Sequence, residues 1–196
     1  FELQFAVNHL APFLLTNLLL QRLRASAPAR IVNVASFAHA FGDIRFDDLH
    51  LERERGAMTA YRQSKLACVL FTHELARRLE GSGVTANCFH PGVCATQFGD
   101  REGVAWPIRV FWKAARPFLR TPERGAETAI YLACSERVAA MSGHYFESGR
   151  PRISRGRSND RELAERLWSV SAQLTRLDLT SNPSGVHHGR NAPDQP

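Results

Sequence analysis

The stretch Arg30-Ile31-Val32-Asn33-Val34-Ala35-Ser36, RIVNVAS, decides the fold. It is a β-branched run of strand length, entered after Pro28 and left at the turn-like SFAHAFG. Upstream, Leu3, Phe5, Val7, Leu10, Leu14, Leu15, Leu18 and Leu19 predict a helix ending near Arg24, apolar over much of its circumference and therefore buried. Downstream, a second helix from about Met58 to Glu80 stops at Gly81-Ser82-Gly83. VTANCFHPG, Val84 to Gly92, is then a second short apolar strand, ended by Pro91-Gly92. A third helix opens with Thr121 as N-cap, Pro122 in its first turn and an acidic residue after it. SGHYFES makes a third strand and RELAERLWSVSAQL a last helix. Helices and strands alternating at this spacing imply an α/β domain with a parallel sheet covered by helices. Ligands of such sheets sit beyond the carboxyl ends of the strands, which directs attention to Ser36 and to His90 through Thr96.

Composition narrows the function classes. At 196 residues, 44% hydrophobic and 22% charged, the chain has room for one domain-sized core. Its net charge of +6 comes from arginines scattered among glutamates, as in LERERG and RELAERLW, so no nucleic-acid partner is expected. Cys68, Cys88, Cys94 and Cys134 form no CxxC pair and lie in or beside apolar stretches, which fits small hydrophobes in a reducing compartment. No uninterrupted run of about 18 apolar residues occurs, so no membrane span is expected. No metal site is expected either, since His187-His188 in the tail lacks further ligands.

Candidate chemistry centres on one of only two lysines in the chain, Lys65, which follows Tyr61 by one helical turn. Residues four apart on a helix share a face. A phenol, with an ordinary pKa of about 10, is a poor proton-transfer catalyst near neutrality, and an adjacent cation favours its ionised form. Lysine suits that task because its ammonium is a compact charge with three donors, able to hold a cofactor hydroxyl as well. With three tyrosines and two lysines, chance would supply such a pair only about 0.03 times. Ser36 stands where a hydroxyl could hold a substrate oxygen beside the tyrosine, although a turn serine would look the same. Pro12 lacks the N–H that would bond the carbonyl of Asn8, which frees that carbonyl for a water or simply kinks the helix.

Asn8, Ser36, Tyr61 and Lys65, in this order and on these elements, resemble the catalytic tetrad of the short-chain dehydrogenase/reductase family. The resemblance is closest to its retinol dehydrogenase-like branch, on FELQFAVNHLAPFLLTNLLL, RIVNVASFAHAFG, AYRQSKLACVLFTHELARRL, GSGVTANCFHPGV and SGHYF. It runs from Phe1 to about Leu174 and matches the family's C-terminal half or somewhat more. It implies a Rossmann-like, doubly wound parallel sheet, present here as its C-terminal portion over residues 1–180; the composition of residues 181–196, SNPSGVHHGRNAPDQP, predicts a disordered tail. The resemblance implies that Tyr61 is the general acid/base, that Ser36 orients the substrate oxygen, and that Lys65 binds the nicotinamide ribose and assists the tyrosine. Asn8 then holds a relay water through its backbone carbonyl, and Pro91, Gly92 and Thr96 contact the nicotinamide end of the cofactor.

The implied reaction interconverts an alcohol and a carbonyl on a small apolar, retinoid-like substrate. NADP is the expected cofactor, with NAD also compatible; the expected location is intracellular, with peripheral membrane contact at the endoplasmic reticulum or mitochondrion, cytoplasmic otherwise, and a homodimer is compatible as well. Two departures from the family stand out. Ala11-Pro12 replaces the usual Gly-His after NHL, which agrees with a free Asn8 carbonyl. No glycine-rich turn follows a first strand, so the pyrophosphate site is expected upstream of Phe1; the competing reading is an inactive, truncated interaction protein. VAWPIRVFWKAARPFLRT, with Trp106, Phe111, Trp112 and Phe118 among arginines, admits three readings: a substrate wall, an interfacial helix, or a packed helix.

Overall fold

Strands β1 (Ala29–Val34) and β2 (Val84–His90) pair in parallel, with Ala29 opposite Val84 and Val34 opposite Phe89. They belong to a computed structural model that describes residues 1–53, 56–93 and 119–178. Strand β3 (Tyr145–Glu147) adds in parallel beside β2, and β4 (Arg150–Arg152) folds back antiparallel on β3, giving the order β1-β2-β3-β4. The sheet is therefore parallel through its three expected strands. The unexpected fourth is made by a two-residue turn, Ser148-Gly149, in which both residues have positive φ (50° and 71°), the twist that suits a tight hairpin.

Helix α1 (Leu3–Phe5) is capped by Glu2, whose carboxylate accepts from the N–H groups of Gln4 and Phe5. It runs through a π-helical turn, Ala6–Leu10, into α2 (Ala11–Ala25). Helix α3 (Ala57–Arg78) connects β1 to β2, and α4 (Pro122–Cys134) begins as expected with Thr121 Oγ1 accepting from the Arg124 N–H. Helix α5 (Arg161–Leu174) is capped by Asp160, which accepts from the Leu163 N–H at 2.9 Å. At the far end of α4, Arg30 donates to the carbonyls of Leu132 and Ser135, placing a cation on the helix C-terminus.

The two faces of the sheet are read off successive residues. Ile31 of β1 packs towards α2, α3 and α5 with Phe13, Leu75, Ala86 and Trp168, whereas Val32 packs towards α4 with Phe89, Leu132 and Phe146. Burial on both faces explains why β1 and β2 read as nearly continuous apolar runs rather than as an alternation. A further cluster, Phe5, Leu10, Leu66, Leu70 and Leu167, locks the N-terminal helices and α5 onto α3. Each fully buried side chain of this size stabilises the fold by roughly 1.5–3 kcal/mol.

Three expectations are corrected. The N-terminal helix is buried along one stripe, Phe5, His9, Phe13, Asn17 and Leu20, while Leu3, Val7, Leu15 and Leu18 are exposed, Leu3 by 73%. The physical reason is geometric: α3, α5 and the sheet meet only one side of this helix. Second, the continuous helical stretch Leu3–Ala25 is, by length and composition, long and apolar enough to cross a membrane, because its few polar residues are spread thinly enough that the lack of an uninterrupted apolar run does not matter. Third, Cys134 is exposed at the end of α4, whereas Cys68 and Cys88 are buried and burial raises both thiol pKa values, Cys68 to about 11. Cys94, the aromatic segment up to Phe118 and the tail from Thr180 lie outside the described residues.

Candidate active site

Tyr61 and Lys65 sit on the first half of α3, both half-buried, with the Lys65 ammonium 5.8 Å from the centre of the Tyr61 ring. Lys65 Nζ also donates to the carbonyl of Val34 at 2.9 Å. That contact fastens the helix to the last residue of β1, two residues before Ser36. Ser36 is 8% exposed and caps a 3-10 turn, Phe37–Phe41, where its Oγ accepts from the Ala38 N–H at 3.2 Å. The chemistry-bearing residues thus converge on the carboxyl end of β1, where the topology placed them.

Asn8 joins from the other side. The helical ladder steps from i−4 to i−5 in its turn, Ala11 donating to the Ala6 carbonyl, beside the position where Pro12 has no N–H to give. The side chain of Asn8 has a partner that sequence reasoning did not identify: its Nδ2 donates to Ser64 Oγ at 3.0 Å. Ser64, fully buried, passes its own hydrogen to the Tyr61 carbonyl at 2.9 Å. Asn8 is therefore tied to the turn of α3 that carries Tyr61.

Pro91 and Gly92 follow β2 directly, and Gly92 has φ +86°, a conformation that favours glycine. The Arg120 side chain covers it so closely that an added Cβ would come within 2.7 Å of Arg120 Cδ. Thr96 lies outside the described residues. Among the described residues, no group of three or more His, Cys, Asp or Glu is arranged to hold a metal ion.

His39 is a site residue that sequence reasoning missed. Its Nδ1 lies 2.6 Å from the Ser36 carbonyl, which can only accept, and its Nε2 lies 3.2 Å from the Arg155 N–H, which can only donate. The ring is therefore the neutral Nδ1–H tautomer, a state that burial also favours by lowering its pKa. It packs against Tyr145 at a tilt of 59° with ring centroids 4.7 Å apart; the Tyr145 hydroxyl donates to Glu147, and burial raises its pKa. The buried ring holds the Ser36 backbone against the C-terminal segment. Its only sequence signal was a histidine three residues after a strand-end serine, too common a pattern to single out.

The short chain dehydrogenase family matches residues 1–103, which is more than half of the chain. The chain belongs to that family. Retinol dehydrogenase 13 of Homo sapiens is 47% identical over 189 residues, covering 92% of this chain and 56% of that protein. Retinol dehydrogenase 14 of Homo sapiens is 45% identical over 178 residues, covering 90% of this chain and 53% of that protein. This short chain dehydrogenase chain thus spans a little over half the length of the curated relatives it matches. Among solved structures, an uncharacterized protein from Mycobacterium Paratuberculosis superposes with a TM-score of 0.66 at 33% identity, over 90% of this chain and 59% of that one. A Beutenbergia cavernae protein solved with bound NADP superposes with a TM-score of 0.53 at 25% identity, over 74% of this chain and 53% of that one.

Proposed function

We propose that this chain is the catalytic part of an NADP(H)-preferring oxidoreductase that interconverts an alcohol and a carbonyl on an apolar, retinol- or retinal-like substrate. The observation that carries the reading is the Lys65 contact to Val34, which holds Tyr61 and Lys65 at the strand end from which Ser36 emerges. The similarity to retinol dehydrogenases supports the substrate class, and the NADP-bound neighbour supports the cofactor. Membrane association at the endoplasmic reticulum or mitochondrion belongs to the same reading.

The residues present fit the nicotinamide-ribose end of such a cofactor. Lys65 uses one of its three donors on Val34, which leaves two for ribose hydroxyls. Pro91-Gly92 turns the chain at the end of β2, beside the place where the nicotinamide is expected. Among the described residues no glycine-rich turn runs from a strand into a helix, so the pyrophosphate is assigned to none of them.

When bound, the nicotinamide supplies a hydride to the carbonyl carbon in reduction and takes it back in oxidation. Tyr61 donates its phenolic proton to the carbonyl oxygen. Ser36 holds that oxygen: its Oγ already accepts from Ala38, so its own hydrogen is available to donate. Asn8 keeps a water at its backbone carbonyl, through which Tyr61 regains a proton. The test is NADPH consumption by the full-length protein with all-trans-retinal. Aldehyde-dependent oxidation that Tyr61→Phe removes supports the reading. No consumption with retinal or any other apolar aldehyde overturns it in favour of an inactive, tetrad-bearing interaction protein.

A further inference from the structure

A cavity lined by none of the tetrad residues lies between α4 and the β3–β4 hairpin, with a volume of about 690 Å³; Arg120 at its edge also packs over Gly92. Arg120, Arg124, Arg137 and Arg150 all line it, against the single carboxylate of Glu127. Arg124, Glu127 and Tyr131 are spaced three and four apart, so one face of α4 forms the wall. The opposite wall is the tight turn at Ser148-Gly149, which is pinned to the helix because the Gly149 N–H donates to Thr128 Oγ1 at 3.1 Å. The cavity is therefore a groove with a braced floor.

Its charge is unbalanced. Among the described residues none of these four lies within ion-pair distance of a carboxylate, unlike Arg77, which pairs with Glu165, and Arg157, which pairs with Asp43. Four guanidinium groups facing one cleft repel each other unless an anion joins them. Their planar forks match phosphate oxygens two at a time. Arg120 donates to Ser148 Oγ at 2.9 Å, so the serine's own hydrogen is a further donor for a bound group. The volume falls within the range that encloses a small organic ligand.

We propose that this groove is a binding site for a phosphate-bearing anion, separate from the tetrad and beyond the proposed oxidoreductase reading. The ligand is either a free phosphorylated metabolite or the headgroup of an anionic lipid, which share the recognised group. Sodium pyrophosphate is the probe for the first, used in calorimetric titration of the full-length protein, presaturated with NADP so that the cofactor's own pyrophosphate site is filled, in low-salt, phosphate-free buffer. Phosphatidylserine vesicles, against phosphatidylcholine vesicles, are the probe for the second, used in flotation.

All four arginines are exposed, so Arg124→Gln/Arg150→Gln should retain the wild-type melting curve. The expected result is saturable binding that weakens at least tenfold in this double variant, weakens as salt rises, and is unchanged in the remote control Arg53→Gln. Pyrophosphate binding identifies a free anion, and vesicle binding without it identifies a headgroup; either supports the site. Binding to neither probe, or binding that the double variant keeps, overturns it. Neither outcome depends on turnover, so failure here is distinguishable from failure of the oxidoreductase reading.

Discussion

Lys65 Nζ donates to the Val34 carbonyl at 2.9 Å, joining the helix that carries Tyr61 to the end of the strand that leads into Ser36. A guanidinium is wider and planar, and its donors point in fixed directions, so it cannot make this contact and leave compact donors for a ribose. Lys65→Arg is therefore expected to lower kcat/KM by about 100-fold, the cost of displacing catalytic groups by about an ångström. Steady-state kinetics of the full-length protein checks this. An arginine variant with wild-type kcat/KM would mean that charge alone suffices.

Tyr61→Phe removes the hydroxyl and keeps the ring against which Lys65 sits. If that hydroxyl moves the proton, its loss acts mainly in the transition state. Turnover should fall by about 10²–10⁴-fold while NADPH affinity stays within a few-fold. Fluorescence titration and turnover on the same preparation separate the two effects. Equal losses in both would reassign Tyr61 to binding.

Much of the frame was legible because its signals are local. The last helix was read as residues 161–174 and is Arg161–Leu174, and Thr121 caps α4 as its Thr-Pro-Glu start implies. What escaped depended on contacts between segments distant in sequence. Strand β4 is Arg-Pro-Arg, with no β-branched residue and a proline at its centre, and only the Ser148-Gly149 turn brings it to β3. The exposed stripe of Leu3, Val7, Leu15 and Leu18 could not be told from the buried one, because it is at least as apolar as Phe5, His9, Phe13, Asn17 and Leu20 and only packing separates them. Tyr61, Lys65 and Ser36 were accessible since their placement follows from helix period and strand ends. The Asn8 to Ser64 bond and the His39 brace were not, because each spans elements whose approach no periodicity records.

Gly42 ends the 3-10 turn that Ser36 begins, and it lies against α3 at Arg62 and Leu66, each next to a residue of the Tyr61–Lys65 pair. A Cβ there would stand 2.5 Å from the Arg62 carbonyl oxygen and 3.0 Å from Leu66 Cβ. Backbone cannot yield as a side-chain tip does, so Gly42→Ala should cost about 1–3 kcal/mol. For a domain of this size, each kcal/mol lowers Tm by about 2–4 °C. Because the turn must move away from α3, Ser36 moves with it and turnover should fall as well. A melting curve unchanged within 1 °C would show that the two segments lie farther apart than described.

His9 supplies a pH dependence that originates in the core. It is 1% exposed, and its Nε2 donates to Ser171 Oγ at 2.7 Å, because the Ser171 hydrogen already serves the Leu167 carbonyl. Phe5, Phe13 and Phe71 surround the ring, and this burial lowers its pKa from 6.5 to about 3. With the folded pKa depressed, the unfolded chain takes up a proton first as the solution is acidified. The contribution of His9 to stability is thus complete above pH 6.5 and is lost as pH falls towards 3, at about 1.4 kcal/mol per pH unit. His39, His73 and His90 are also lowered by burial and add to the same slope, so the test must isolate one ring. His9→Gln keeps a donor for Ser171 but cannot titrate, and it should be less stable than wild type at pH 8 yet lose stability more slowly between pH 6.5 and 4. Denaturant unfolding at a series of pH values measures both slopes. Parallel slopes for the two proteins would place the acid sensitivity elsewhere and show that His9 is not held neutral by the core.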